Sequence, residues 1–165
     1  MTPNSRGNGT PSNAPGASSE LARAYSATHY RIEPPGQAFV LRIGERDRGL
    51  ETCLQTEGWS QASLLTAWNP RSRIVPEQEN RARHARITRE LEQAGWSCWP
   101  TLHRDPTGQW PDEPGYCVLG MGAADLDPWL VAFDQNAAVL VQPPSAPRLI
   151  WHPGEGPGSR CPTSP

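Results

Sequence analysis

The sequence predicts an α+β fold. The expected architecture is a mainly antiparallel sheet with a ferredoxin-like β-α-β-β-α-β middle part. Extra hairpin strands flank it at both ends, and the helices pack on one face. Two observations carry this. Short apolar runs alternate with stretches of helical period in the order α-β-β-α-β-α-β-β-α-β-β. Two pairs of runs are also joined by "PPGQ" and "PPSAP", connections that read as hairpins. Hairpins this frequent argue against a doubly wound parallel sheet.

Each element has a local reason. Ser18 or Ser19 can cap a short first helix that places Leu21, Ala24 and Tyr25 on one side. "HYRIE" (29–33) and "AFVLRI" (38–43) form the first hairpin. In 50–58, Leu50, Cys53 and Leu54 fall at helical spacing and Gly58 stops the helix. "ASLLTAW" (62–68) is a strand closed by Asn69-Pro70. Pro76 suits the first turn of a long helix ending at Ala94, before Gly95. Strands follow at 97–103 and 116–121, then a helix over 125–135 with Leu126, Trp129, Leu130 and Phe133 inward. "AAVLVQ" (137–142) and "RLIWH" (148–152) make the last hairpin. Residues 1–18 and 153–165 are rich in Pro, Gly, Ser and Thr and read as disordered tails around one domain, 19–152.

Composition excludes several functions. The 165-residue chain carries a net charge of −2, so no strong field draws it to nucleic acid or membrane. All 15 basic residues are Arg, so no catalytic, P-loop or Schiff-base lysine exists. The four Cys form no CxxC pair and the four His are scattered, so neither a metal site nor a cofactor is expected. No run is long enough to span a membrane. A cytoplasmic protein with reduced thiols, a monomer or weak homodimer, is the expectation. "HRD" at 103–105 mimics a kinase catalytic loop without its partner motifs. "GMGAAD" at 120–125 mimics a dinucleotide loop, but Asp125 stands where a small residue is needed.

Strand direction locates the candidate site. If strand 62–68 points up, its exit, the exit of strand 97–103 and the entry to strand 137–142 all lie at the top. That edge gathers Trp68, Asn69, Ser72, His103, Arg104, Asp105, Trp110, Glu113, Gln135 and Asn136. The long helix begins there too, and its inward stripe is Asn80, His84, Ile87, Leu91 and Ala94. Two readings of these residues stand side by side. Asn69 either binds a ligand or caps the strand exit, and His84 is either a cleft residue or a satisfied semi-buried histidine. Amides dominate the cluster, and amides bind without proton chemistry. The leading expectation is therefore a non-catalytic binding or interaction module for a small polar or anionic ligand, or a protein partner's loop. The alternative is acid–base catalysis, with His84 or His103 as base, Asp105 or Glu113 as its acidic partner and Arg104 holding an anion. A second alternative is weak RNA or nucleotide binding through Arg71, Arg73, Arg81, Arg83 and Arg86, which the near-neutral charge disfavours. The simpler reading of that helix is a solvated face with pairs Glu77–Arg81, Glu79–Arg83 and Arg86–Glu90.

"AYSATHYRI", "LRIG", "TAWNP", the Asn80 helix, "HRDPTGQWPDEPG" and "DQNAAVL" together resemble a family of small bacterial proteins, domain-of-unknown-function family 3293. The resemblance spans roughly residues 22–151 and implies no activity, cofactor or catalytic residue. The resemblance implies a Phe-Gly-Gln-Asn turn before the last hairpin, where this chain has Asp134 in place of Gly.

Overall fold

The computed structural model describes residues 17–154, and the tails read as disordered lie almost wholly outside them. The first helix, α1 (Ala17–Ala27), begins inside the stretch read as tail. There follow β1 (His29–Ile32), β2 (Phe39–Leu41), α2 (Arg48–Thr56), β3 (Ala62–Thr66), a 3-10 turn (Pro70–Ser72) and α3 (Glu77–Gln93). Then come β4 (Cys98–Arg104), β5 (Glu113–Leu119), α4 (Ala123–Ala132), β6 (Ala137–Val141) and β7 (Arg148–Trp151). The strands form one seven-stranded sheet in the order β2-β1-β4-β5-β3-β6-β7, and every neighbouring pair is antiparallel.

Alternation along the strands gives the sheet two apolar faces. Leu65, Val118 and Ala138 join Ile87 and Leu91 of α3 and Leu126 and Leu130 of α4 in one core. Leu64, Cys117 and Val139 face the other way and join Leu50 and Leu54 of α2. The expectation of helices on one face is thus corrected: α3 and α4 cover one face, α2 the other. The central strands are apolar on both sides, as "SLL" and "AAVLV" already are, and a sheet buried on both faces needs helices on both.

On β3, β4 and β5 the face that α2 covers turns from apolar to polar towards its upper end. Read every second residue, β3 runs Ala62, Leu64, Thr66, and β4 runs Trp99, Thr101, His103. Going up β5, the same face reads Leu119, Cys117, Gly115, Glu113. Strand β5 begins three residues earlier than its apolar run suggests, so Glu113 lies directly opposite His103 on β4.

Candidate functional site

Three loops converge at the top of the sheet. Asn69 Nδ2 donates to Glu113 Oε1 at 2.8 Å, Gln135 Nε2 donates to the Trp68 carbonyl at 3.0 Å, and Asn136 Nδ2 donates to Ser72 Oγ at 2.8 Å. The Arg71 amide also donates to the Asp134 carbonyl at 2.7 Å. This junction is strained. Asn69, Arg71, Ser72 and Asp134 all adopt positive φ, between 46° and 54°. Non-glycine residues held so are costly and concentrate where a loop has a task beyond connecting elements.

Asn69 is the hub. It is buried, and its amide N–H donates to Asn80 Oδ1 at 2.8 Å. Its Oδ1 accepts from Asn80 Nδ2 at 2.9 Å and from the Val75 amide at 3.3 Å. The Asn at the mouth of the strand therefore holds the turn and, through Nδ2, one oxygen of Glu113. Trp110 Nε1 donates to that same oxygen at 2.8 Å. Burial outweighs these two donors and raises the Glu113 pKa. Oε2 has no hydrogen-bond partner among the described residues.

Below this junction is a cavity of about 480 Å³. Its roof is α1, with Leu21 and Ala24, and its floor is the upper sheet face, with Leu64, Ala137 and Val139. Asn69, Ser72, His103, Asp105, Trp110, Glu113 and Gln135 line its polar end. Trp68, Asn80, His84, Arg104 and Asn136 do not line it. Trp68 supplies its carbonyl to Gln135, while Asn80 and Asn136 stand behind the wall as supports of Asn69 and Ser72. Arg104 is exposed and pairs with Asp112 at 2.7 Å. His84 packs with the α3 face, its ring stacked on Tyr116 with centroids 5.1 Å apart. The sheet therefore separates His84 from His103.

Neither imidazole hydrogen-bonds a carboxylate among the described residues. His103 Nε2 meets Thr101 Oγ1 at 3.0 Å, and its ring sits edge-on to Tyr30. Burial lowers its pKa to about 4, so the ring is neutral at pH 7. Burial also lowers the pKa of His84. Asp105 turns inward on its own loop, accepting from the Thr107, Gln109 and Trp110 amides, and these bonds lower its pKa. Room for His103 and Thr101 depends on Gly115. A Cβ there would lie 2.3 Å from the Leu65 carbonyl oxygen, 3.0 Å from Thr101 Oγ1 and 3.2 Å from His103 Nε2.

The cations of the long helix are largely engaged. Arg81 pairs with Glu77 and Arg86 with Glu90. Arg83 turns in, donating to the Ala67 carbonyl at 2.7 Å and to that of Phe133, while Glu79 attracts it only through space. Burial raises the pKa of Cys53, Cys98 and Cys117, that of Cys98 to about 11, so these thiols stay protonated. Among the described residues no group of His, Cys, Asp and Glu could hold a metal ion, and no helix is long and apolar enough to cross a membrane.

Residues 65–138 match the family DUF3293. Its description is a protein of unknown function. No curated protein and no solved structure matches the chain. The DUF3293 segment runs from the end of β3 to the start of β6 and includes Thr66 and every polar-end residue named above. The α1 roof and Tyr30 lie outside it. Asp134, before the last hairpin, holds a positive φ of 51° that Gly would adopt without strain.

Alternation on the strands was the signal that sequence reading missed. Thr66, Thr101 and Tyr30 belong to the cavity wall or its support, and each falls on the face and at the height where apolar residues give way to polar ones. The helical stripe of α3 pointed instead to Asn80 and His84, on the far side of the sheet from the cavity.

Proposed function

We propose that the protein is a non-catalytic binding module whose cavity takes a small amphipathic molecule. The apolar part would lie on Leu64, Ala137 and Val139 beneath α1, and the polar part would meet Glu113 and Gln135. One observation carries the reading: a cavity of about 480 Å³ opens where three loops, two of them strained, are tied together, apolar at one end and polar at the other. A few fixed polar groups in a mostly apolar concavity is the usual make-up of a small-molecule site. The charges disfavour an anionic ligand. Arg23 is the one Arg among the described lining residues, and it is exposed on α1, while His103 is neutral. The middle strands support a ferredoxin-like unit, since β5 lies between β3 and β4, and β6 lies on the other side of β3. Acid–base catalysis has less support, because His103 bonds Thr101 and Asp105 is engaged by its own loop.

A thermal-shift series with 4-phenylbutan-1-ol tests the reading, because a ligand that binds the folded state raises Tm by mass action. Ala24 is exposed on the roof helix and lines the cavity, so Ala24→Trp can fill it from α1 with every sheet residue left unchanged. The expected result is a concentration-dependent rise in Tm that Ala24→Trp abolishes. A rise that survives Ala24→Trp would place binding elsewhere and overturn the proposal.

A further inference from the structure

We infer that the cavity selects an organic amine: a primary ammonium group bound at Glu113 and Gln135, carried on an apolar body. This rests on the binding reading above and names the chemistry that the polar end would recognise.

The inventory of donors and acceptors leads there. Glu113 is fixed from behind, since both of its donors, Asn69 Nδ2 and Trp110 Nε1, meet Oε1. The other oxygen is unpaired among the described residues. It is not sealed away from solvent, and Glu113 lines the cavity. Gln135 is oriented just as firmly. Its Nε2 faces two carbonyls, Trp68 O at 3.0 Å and Phe133 O at 3.3 Å. Two acceptors fix the amide nitrogen on that side. Oε1 is thereby directed away from them, unpaired among the described residues and likewise not sealed.

Ser72 Oγ accepts from Asn136 Nδ2 and keeps its own proton, but the hydroxyls nearer the sheet already donate elsewhere. Thr66 Oγ1 donates to the Pro114 carbonyl at 2.9 Å, and Tyr30 OH donates to the Tyr25 carbonyl at 3.0 Å. The polar end thus offers accepting oxygens and few protons. A half-buried carboxylate has no basic partner there, because His103 is neutral and no ion pair reaches Glu113 among the described residues. A buried charge without a counter-ion is costly, and a ligand that brings the counter-ion removes that cost. An ammonium has three donors and no acceptor, matching what the site presents. The apolar floor and roof exclude a fully hydrated metal-like cation and call for a hydrocarbon body.

The test uses three probes with one body: 4-phenylbutylamine, 4-phenylbutan-1-ol and 4-phenylbutyrate. Each is titrated calorimetrically at pH 7 into the full chain and into its Glu113→Gln variant. Gln keeps an Oε1 that can accept from Asn69 and Trp110, so the apo variant should melt at or above the parent. The proposal expects the amine to bind at least tenfold tighter than the alcohol, and the carboxylate weakest. Glu113→Gln should remove the amine's advantage over the alcohol. Equal binding of amine and alcohol, with no effect of Glu113→Gln, would overturn the amine proposal while the binding reading stands. Tighter binding of the carboxylate would overturn it too. If none of the three binds, both readings fall. The melting temperature of the apo variant serves as its folding control.

Discussion

Replacing Asn69 by Ala should cost about 3–5 kcal/mol, most of it from groups left behind rather than from the lost side chain. Three side-chain hydrogen bonds vanish: Nδ2 to Glu113, and Oδ1 from Asn80 Nδ2 and from the Val75 amide. Asn80 is buried, so its stranded amide bears a desolvation penalty of about 1–3 kcal/mol, and the half-buried Val75 amide adds less. Ala must also hold φ near 46°, which adds about 1 kcal/mol. Three variants separate these contributions in urea denaturation. Asn69→Gly should be about 1 kcal/mol more stable than Asn69→Ala, because Gly adopts the left-handed conformation freely. Asn69→Ala combined with Asn80→Ala should cost at least 1 kcal/mol less than the two single losses added, since each removes the other's partner. An Asn69→Ala protein destabilised by less than 1 kcal/mol, with additive behaviour towards Asn80→Ala, would refute the view that this Asn is the post on which the loops and Glu113 are hung.

Gly115→Ala should destabilise by about 1–3 kcal/mol in the same assay, because its Cβ would lie 2.3 Å from the Leu65 carbonyl and 3.2 Å from His103 Nε2; a neutral effect would mean that the sheet yields there. Stability should fall on acidification from pH 6.5 to about 4. The unfolded chain protonates His103 near 6.5 and the folded one only near 4, so His103 alone contributes about 3 kcal/mol at neutral pH that is lost over this window. His84 adds to the loss, being lowered as well, whereas Glu113, raised and facing His103 across the strands, opposes it. His103→Gln should flatten the profile, measured as urea midpoints at pH 7 and pH 4.5. Asp134→Gly should raise stability by up to about 1 kcal/mol, because relief at φ 51° outweighs a long, exposed pair with Arg71.

Much of the fold was legible. The order of elements follows from period-two and helical patterning, and the meeting of the three loops follows from strand direction alone. The placement of helices did not follow, because "SLL" and "AAVLV" are apolar on both faces and do not say which face a given helix takes. The early start of β5 was hidden by "EPG", residues that ordinarily mark a turn, yet Gly115 is needed in the strand to make room for its neighbours. The amides of Asn69, Asn80, Gln135 and Asn136 stood out by type and height. Their division of labour was not readable, since it depends on side-chain directions at positive φ. Asn69 and Gln135 reach the cavity, while Asn80 and Asn136 brace it from behind. His84 and His103 looked equivalent because both sit near the top of their elements. The parity of Tyr116 against Glu113 on β5 is what places them on opposite sides of the sheet.

Amide chemical-shift mapping of the isotope-labelled protein during titration with 4-phenylbutylamine tests the central claim most directly. The account predicts saturable shifts at Ala24, Tyr30, Thr66, Glu113, Gln135 and Ala137 and at the Trp110 indole N–H. Signals of His84, Thr88 and Leu91, on the far face, should stay in place. Shifts centred on α3, or none at concentrations that shift no other protein of similar size, would contradict it.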